Sequence, residues 1–480
     1  MRYNKVLLVS PGYSKGRYQV NIQPLIGLGC IAEALKAAGI NVSVFDMGLG
    51  YKTVDLEARI GDFKPSIIGF SVLTFGHKEL FGLIGHIKEK HPEIAVAVGG
   101  PYISTLRENA LGECKGIDYG IMLEGDRSFV ELCEGKNPEE IEGIIYRADD
   151  LVIKNDFKKF IMNLNDLPFP KYEAFELESY PSKQIGIVTS RGCPYSCIYC
   201  PVIAAIGQQF RQRSAEGVVE EIAYWYDRDY RKILIFDDNF TLDRARTEKI
   251  CDLLSKRNFT GISLKLPNGI RADKVDLGLL KKMREAGFDM IAFGVESAED
   301  RILKNIKKGE DAATIEKSIS DACKLGFDVD LFFIIGSPGE TFKDFESSLS
   351  LAVRYPVKYA SFYNLIPFPS TELFEWVKNN NYFLYPPEKI LNNASHYVNT
   401  PCFCTPEMSA RERRKAFKIG QAVSRKIYKR HIERKLKMPF IFKRILSLIY
   451  TFPPIENIVD NARILIRIRE KIIKIFGKNR

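Results

Sequence analysis

The sequence contains no uninterrupted apolar run that approaches the ~18 residues of a membrane-spanning helix, so a spanning segment is not expected. Near its first residue it also lacks the roughly 7–15-residue apolar stretch that marks a signal peptide. The first apolar run, Val6–Val9, has only the length of a strand. These two absences make the cytoplasm the expected compartment.

Histidine is scarce at 5 residues, and the 10 cysteines are not accompanied by a secretory signal. Because the cytosol keeps thiols reduced, the cysteines are expected to be free or to bind metal rather than to form disulfides. Cys402 and Cys404 form an isolated C-x-C pair, which is too little for a site. Five other cysteines stand singly in apolar or helical contexts, where small buried side chains are expected: Cys30, Cys114, Cys133, Cys251 and Cys323.

Compositional bias is absent, since 45% of the residues are hydrophobic and 27% are charged. These fractions are those of an ordinary globular protein and argue against a fibrous or disordered chain. A length of 480 residues exceeds what a single hydrophobic core supports. Two or three domains are therefore expected.

The first part of the chain alternates short apolar strands with amphipathic helices such as Leu28–Ala38 and Lys78–Lys90. This pattern predicts βαβ units and an α/β domain with a flavodoxin-like or Rossmann-like parallel sheet, whose ligands bind beyond the carboxyl ends of the strands. Ser10-Pro11-Gly12 follows the first strand in place of G-x-G-x-x-G, which disfavours a dinucleotide. The five strands are expected at Lys5–Val9, Asn41–Phe45, Ser66–Ser71, Ile94–Val98 and Asp118–Met122.

A second series of strands and helical segments predicts a parallel β/α arrangement with the geometry of a partial (β/α)6 barrel. Its chemistry is expected on the loops at the carboxyl ends of the strands. The six strands are expected at Ile185–Ser190, Lys232–Phe236, Ile262–Leu266, Met290–Val295, Val329–Ile335 and Tyr359–Leu365.

The domain boundaries follow from where these patterns break. Residues 150–184 are rich in proline and polar residues and indicate an extended linker. The expected order is a first domain over 1–149, the linker, the barrel over 185–375 and a mostly helical basic extension over 376–480. Residues 411–480 hold 21 Lys/Arg and 5 Asp/Glu, whereas the whole chain has a net charge of only +10. The basic character therefore belongs to the extension and not to the two α/β domains.

Three cysteines, Cys193, Cys197 and Cys200, form a C-x3-C-x2-C motif directly after the first strand of the second domain. Three thiolates on one loop can hold three irons of a four-iron cubane and leave the fourth iron open. An open metal position is where a cofactor or substrate can coordinate. A zinc knuckle is the alternative, but structural zinc takes four ligands, and no fourth Cys or His follows at suitable spacing.

The motif, with Tyr199 before its last cysteine, resembles that of the radical S-adenosylmethionine (SAM) superfamily. The resemblance implies a [4Fe-4S] cluster on Cys193, Cys197 and Cys200, with SAM bound to the open iron. It further implies that one electron, supplied by an external donor, cleaves SAM to methionine and a 5′-deoxyadenosyl radical. The protein then supplies orientation and shielding for chemistry that belongs to the cofactors.

Further segments at or after the ends of successive strands resemble elements of one branch of this superfamily: Phe236–Phe240, Gly294–Ser297, Gly336–Thr341 and Pro367–Thr371. The resemblance implies that they touch SAM or the reaction chamber, with Ser370 in place of a usual glycine. The candidate contacts are Tyr199, Asp237, Asp238, Arg271, Glu296 and Gly336. Helix capping is the alternative for both aspartates, and a surface ion pair is the alternative for Arg271.

The order of the two α/β domains resembles that of the cobalamin-dependent radical SAM enzymes. Ser71-Val72-Leu73 and Gly99-Gly100 match two elements of a cobalamin-binding pattern, so Ser71, Leu73, Gly99 and Gly100 are candidate cobalamin contacts. The first element of that pattern departs at Asp46–Tyr51, because Gly48 stands where the cobalt-ligating histidine is usual and Tyr51 stands where a glycine is usual. The alternative is a sheet that has kept the fold but binds no cobalamin, with its glycines serving only helix–strand packing.

With both cofactors present, the expected reaction is methyl transfer to an unactivated carbon of a small-molecule or lipid substrate. Such a carbon offers no proton that a general base could remove. Cobalamin-dependent cyclisation or rearrangement is the first alternative, and a non-catalytic binding module is the second. The dispersed Cys30, Cys114 and Cys133 do not form a second cluster site, which disfavours a methylthiotransferase.

Two stretches of the extension, Phe440–Ile449 and Ile464–Phe476, place apolar residues at helical spacing among Lys and Arg. This pattern is typical of a helix at an anionic membrane surface, so peripheral association with the inner face of the membrane is one expectation. Packing of the apolar stripes against the barrel or a second subunit is the alternative. No nucleic acid is expected, because no recognised module accompanies the charge.

Overall fold

The apolar runs of the first 154 residues form the strands of one sheet. Their apolar character fits strands that are buried on both faces. The structure, a computed structural model, describes residues 1–12, 23–149, 151–157, 159–392 and 399–435. In these residues no helix is both long and apolar enough to cross a membrane. The first sheet contains β1 (Lys5–Ser10), β2 (Asn41–Asp46), β3 (Ile67–Ser71), β4 (Ala95–Gly99), β5 (Tyr119–Ile121), β6 (Ile144–Ala148) and β7 (Leu151–Lys154).

The strand order is β2-β1-β3-β4-β5-β6-β7. Strands β1 to β5 are parallel, and their order 2-1-3-4-5 is the flavodoxin-like order rather than the dinucleotide-binding one. The five predicted strands are confirmed. The sequence does not predict β6 and β7. Strand β6 pairs antiparallel with β5 and β7 pairs antiparallel with β6, and β7 lies within the residues assigned to the linker.

Helices cover both faces of this sheet. Leu28 and Phe129 place α1 and α6 on one face, while Leu56 and Ile84 place α2 and α3 on the other together with α4 and α5. The helices are α1 (Ile26–Ala37), α2 (Thr53–Phe63), α3 (His77–Lys90), α4 (Pro101–Leu106), α5 (Glu108–Glu113) and α6 (Gly125–Glu134).

The second sheet is parallel throughout, with the order β8-β11-β12-β13-β14-β15. The six predicted strands and the open β/α architecture are confirmed. A short antiparallel ribbon of β9 and β10 lies beside the sheet. The strands are β8 (Gln184–Ile187), β9 (Ser190–Arg191), β10 (Arg211–Gln212), β11 (Lys232–Ile235), β12 (Ser263–Ile270), β13 (Phe288–Glu296), β14 (Asp328–Ile335) and β15 (Tyr359–Asn364).

The helices between these strands bury their apolar faces against the sheet in one core, which includes Trp225, Leu279 and Ile315. The loops that carry the candidate site lie at the carboxyl ends of the strands. The helices are α7 (Val202–Ala205), α8 (Ala215–Asp227), α9 (Arg244–Arg257), α10 (Leu277–Glu285), α11 (Asp300–Asn305), α12 (Ala312–Lys324) and α13 (Phe342–Arg354).

The chain continues through α14 (Glu372–Asn379) and α15 (Pro387–Leu391) to α16 (Ala410–Lys435), which covers the open edge of the second sheet. Ser424 donates its hydroxyl to the carbonyl of Ala360 on the edge strand β15. Gly420 permits this approach, since a Cβ there would lie 2.7 Å from Cβ of Phe362. An uncovered edge strand exposes unpaired backbone groups, and α16 satisfies part of them.

Candidate functional site

The cysteine loop follows β9 and holds three half-buried thiols, Cys193, Cys197 and Cys200. Gly192 starts the loop with a φ of +86°, and a Cβ there would lie 2.2 Å from the carbonyl oxygen of Gln209. Only glycine adopts this conformation without strain. The loop is tied further to the barrel by the backbone N–H of Ile198, which donates to the carbonyl of Ile306 at 3.1 Å.

Burial raises the pKa of all three thiols, to about 12 for Cys200. The charges of Cys193 and Cys197 raise the pKa of Cys200 further, so the thiols lie close to one another. Arg271 and Lys308 act in the opposite sense on Cys193 and Cys197 and favour their thiolates. Iron binds the thiolate, so these two cations favour the ionisation that a cluster requires.

In the part of the chain that the structure describes, no group of three or more Cys, His, Asp or Glu side chains is gathered closely enough to hold a single ion. A cubane has no need of such a group, because each of three irons takes one thiolate. Three neighbouring thiols on one loop, with buried cations beside them, fit this cluster.

Asp237 follows β11 and fixes the chain just before the cysteine loop. Its carboxylate accepts hydrogen bonds from the backbone N–H and the hydroxyl of Thr189 and from the hydroxyl of Ser190, each at 2.6 Å. The capping interpretation is wrong for Asp237, because α9 begins at Arg244 and is capped by Asp243. These contacts orient the motif, and a direct contact to SAM stays a prediction.

Asp238 lies nearer to the thiols than its neighbour does. Burial raises the pKa of its carboxyl to about 6, and the charge of Asp237 adds to the rise. The backbone N–H of Gly192 opposes it through a hydrogen bond. Asp238 in turn raises the pKa of Cys193 and Cys200, so this carboxyl group lies at the cysteine loop, and its contact with SAM stays a prediction.

Glu296 ends β13 with a φ of +63° and belongs to a buried polar network. Its carboxylate accepts hydrogen bonds from the Tyr199 hydroxyl at 2.9 Å and from Lys308 at 3.3 Å. A Cβ at Gly294 would lie 2.7 Å from Oε1 of Glu296, so a side chain there would displace this carboxylate. The structure thus brings Tyr199 and Glu296 together. Lys308, which the sequence does not single out, lies between Glu296 and Glu310.

Arg271 is buried, with a relative exposure of 6%, so it is not a surface ion pair. Its guanidinium donates to Asp273 at 2.8 Å and to the carbonyls of Lys308 and Gly309 at 2.7 and 2.9 Å. It also lies 3.6 Å from the ring centre of Tyr195, inside the cysteine loop. This places Arg271 next to the loop, and contact with the SAM carboxylate stays a prediction.

Gly336 follows β14 with a φ of +88°, and its backbone N–H donates to Glu340 at 2.5 Å. A Cβ there would lie 2.2 Å from Cζ of Arg413, which α16 inserts with no solvent exposure. Arg413 donates to the carbonyls of Ile335 and Leu365 at 2.9 and 3.3 Å. The sequence gives no signal for this residue, since it is one cation in a strongly basic segment.

Ser370 has a φ of +65°, at the position where the related segment has glycine. Its hydroxyl donates to the carbonyl of Thr105 in α4 at 2.9 Å, which links the barrel to the first domain. Helix α4 also packs against α7, which follows Cys200 directly. The carboxyl edge of the first sheet therefore lies beside the cysteine loop.

At that edge Ser71 and Gly99 are register partners on β3 and β4. Ser71, Leu73, Gly99 and Gly100 are all partly exposed. A Cβ at Gly100 would lie 2.7 Å from the carbonyl oxygen of Val72, so packing alone requires this glycine. At Gly99 the nearest atom would be 3.7 Å away, which is ordinary contact. Packing therefore requires a glycine at position 100 but does not require one at position 99.

Asp46, the first residue of the departing element, is buried and accepts hydrogen bonds from Gly48 N–H at 2.9 Å and from the Tyr180 hydroxyl at 2.8 Å. The Tyr51 hydroxyl donates to Glu176 at 2.6 Å. The chain between the two domains therefore engages this corner of the first sheet.

Two family models match the chain. The B12-binding domain matches residues 20–133, and the radical SAM superfamily matches residues 187–352. The first match covers most of the parallel part of the first sheet, and the second contains the cysteine loop. The two predicted domains and their order are thereby confirmed.

Two curated relatives align over most of their length. The chain is 29% identical over 396 residues to the uncharacterized methyltransferase PH0819 of Pyrococcus horikoshii, which covers 80% of this chain and 85% of that protein. It is 27% identical over 440 residues to the cytidylyl-2-hydroxyethylphosphonate methyltransferase of Streptomyces wedmorensis, with 78% and 81% covered.

A solved structure of the cobalamin-dependent S-adenosylmethionine radical enzyme OxsB, with aqua-cobalamin and S-adenosylmethionine bound, has a similar fold. The TM-score is 0.75 at 16% identity, with 98% of this chain and 75% of that chain covered. At this level of identity the likeness concerns the fold alone.

Proposed function

We propose that this chain, a radical SAM enzyme with an N-terminal B12-binding domain, transfers a methyl group to an unactivated carbon of a small molecule. The observation that carries the proposal is the position of Cys193, Cys197 and Cys200 beside the carboxyl edge of the first sheet. The two proposed cofactor sites are then neighbours. The two curated relatives are named methyltransferases, which supports the reaction type.

Bound at these sites, the cluster supplies the electron that cleaves SAM, and cobalamin carries the methyl group. Cys193, Cys197 and Cys200 hold the cluster, while Arg271 and Lys308 place positive charge beside it. Asp237 fixes the start of the loop. A side chain at Gly294 would meet the Glu296 carboxylate, and a side chain at Gly336 would meet the Arg413 guanidinium.

Binding of SAM is proposed to involve Tyr199, Asp238, Arg271, Glu296 and the Gly336 turn. The Glu296 carboxylate is suited to accept hydrogen bonds from the ribose hydroxyls or the ammonium group. Arg271 is suited to a carboxylate because its guanidinium offers parallel donors. Cobalamin is proposed to lie above Ser71, Leu73 and Gly99.

We expect protein purified anaerobically with excess hydroxocobalamin to retain about one corrinoid per chain, as one B12-binding domain implies. The measurement is the visible absorption spectrum after desalting. Replacement of Gly99 by Ala is expected to weaken cobalamin binding by about tenfold, or ~1.4 kcal/mol, because the methyl group enters the space where the corrin is proposed to lie.

The added methyl of Gly99→Ala meets only ordinary contacts, the nearest at 3.7 Å, so the variant is expected to fold. Gly82→Ala is the matched control, since a Cβ at that helical position has no atom within 4 Å. Wild-type protein that stays free of corrinoid in repeated preparations would contradict cobalamin binding. Product analysis separates methyl transfer from cyclisation, because only the former adds a methyl group to the substrate.

We further propose that the basic extension associates with an anionic membrane surface, which would make a lipid substrate accessible. One face of α16 packs on β15, and its other face exposes Lys418, Lys426 and Arg430 to solvent. Each cation near an anionic surface contributes about 1 kcal/mol. The apolar stretches Phe440–Ile449 and Ile464–Phe476 lie outside the described residues.

In flotation with anionic vesicles, replacing Lys418, Lys426 and Arg430 by Gln is expected to lower the bound fraction. Three contributions of about 1 kcal/mol predict a loss in affinity on the order of 100-fold. The control keeps the charges through Lys418→Arg, Lys426→Arg and Arg430→Lys. Equal flotation of the two triple variants would contradict the proposal. Truncation before Arg411 is unsuitable, because it removes Arg413 and uncovers β15.

A further inference from the structure

Arg191 lies two residues before Cys193 and contacts the first domain. Its guanidinium donates to both carboxylate oxygens of Asp126, at 2.7 and 3.1 Å, and to Glu124 at 3.1 Å. A bidentate pair fixes orientation as well as distance. The chain that enters the cysteine loop is therefore bound directly to the first domain.

A second arginine reaches the same acids from the chain that leaves the loop. Arg211 is the register partner of Arg191 in the β9–β10 ribbon. It donates to Glu124 at 2.6 Å and lies 4.4 Å from the ring centre of Phe160. Both ends of the segment that contains the cluster cysteines are thus anchored on one pair of carboxylates.

The two acids stand where β5 leads into α6, at the carboxyl edge of the first sheet. Leu123 just before them has a φ of +57°, and its N–H donates to Ser104 at 2.9 Å. A branched residue in this region of φ is strained and persists only where surrounding contacts fix it. The turn that presents Glu124 and Asp126 is therefore held in one conformation.

All four side chains are largely withdrawn from water. The side-chain exposures are 16% for Arg191, 1% for Arg211, 5% for Glu124 and 7% for Asp126. Burial alone disfavours the charge of Arg191, but the carboxylates of Asp126 and Glu124 outweigh it and keep the pKa raised. Buried ion pairs add little net stability compared with apolar packing, and their best-attested use is to fix a register.

We propose that Arg191, Arg211, Glu124 and Asp126 form an interdomain clamp that sets the position of the first sheet's carboxyl edge relative to the cluster loop. These are positioning residues. The inference rests on the proposed function, since this spacing matters where SAM at the cluster would give its methyl group to cobalamin. A misplacement of about 1 Å costs on the order of 100-fold in such a reaction.

Asp126→Asn tests the clamp, because it removes one charge while preserving shape. Hydrogen–deuterium exchange on the cobalamin-free chain is expected to show faster exchange in peptides covering 119–126 and 190–212. In the loaded enzyme with dithionite, 5′-deoxyadenosine per cluster is expected to stay within about twofold. Transfer of the methyl group of SAM to the reduced cobalamin would release S-adenosylhomocysteine, and the amount formed in a single turnover is expected to fall about 100-fold.

Arg127→Gln is the matched control, since it removes a neighbouring charge whose partner Glu131 lies on the same helix. It is expected to leave exchange and both products unchanged. If Asp126→Asn does not fold, Arg191→Lys takes its place as the test. It keeps the charge but loses the bidentate geometry, so it is expected to increase exchange at the same two peptides.

Wild-type exchange at both peptides in the folded Asp126→Asn or Arg191→Lys chain would overturn the clamp. So would an equal loss of 5′-deoxyadenosine and S-adenosylhomocysteine, because that pattern indicates general damage. If the wild-type chain retains no cobalamin, the proposed function fails while the exchange experiment still decides on the clamp.

Discussion

Replacement of any one of Cys193, Cys197 or Cys200 by alanine is expected to abolish formation of 5′-deoxyadenosine from SAM. The three half-buried thiols lie on one loop beside Arg271 and Lys308, and each supplies the thiolate of one iron. Loss of one thiolate leaves an iron without its ligand. The expected decrease is about 10⁶-fold or more, the scale of enzymatic rate acceleration.

The measurement is iron per chain after anaerobic reconstitution, together with 5′-deoxyadenosine by chromatography and mass spectrometry. Cys323→Ala is the control, because this half-buried thiol lies on α12, away from the loop, and should leave both readings unchanged. A triple alanine variant that still binds about four irons and cleaves SAM would refute the assignment.

Replacement of Gly192 by alanine is expected to have the next largest effect. A left-handed conformation costs a non-glycine residue about 1–3 kcal/mol, and the added Cβ would lie 2.2 Å from the Gln209 carbonyl oxygen. A backbone carbonyl cannot move away as a flexible side chain can. The loop is therefore expected to shift, and the bound iron to fall well below the wild-type content.

Gly85→Ala is the matched control, since it adds the same methyl group in the middle of α3, where no atom lies within 4 Å. It is expected to stabilise the chain by up to about 1 kcal/mol, because alanine is the better helix former. The measurements are iron content and thermal unfolding for both variants. A Gly192→Ala protein with full iron content would show that the loop tolerates the side chain.

Several tertiary contacts lie beyond what the sequence predicts. The sequence alone does not distinguish the adjacent residues Asp237 and Asp238. In the structure Asp237 binds Thr189 and Ser190, whereas Asp238 lies at the thiols. Likewise Gly99 and Gly100 are neighbours in one motif, but only Gly100 is required by a backbone contact. Such differences depend on which way a side chain points at the end of a strand.

The sequence by itself determined the features that depend on residues close together in the chain. The C-x3-C-x2-C spacing occupies eight residues, and the eleven predicted strands follow from their own apolar residues. Parallel pairing follows from the alternation of these elements, because parallel strands need a crossover connection between them. These signals are local, so folding does not alter them.

Only the tertiary structure decided which charged groups meet. Arg191 is 65 residues from Asp126, and Arg413 is 78 residues from Ile335. The chain carries 70 basic and 60 acidic residues, and most of the pairs that these could form are solvated and nearly neutral in energy. Burial selects the few pairs that matter, since a buried charge must find a partner. Burial itself exists only after the sheets and helices have packed.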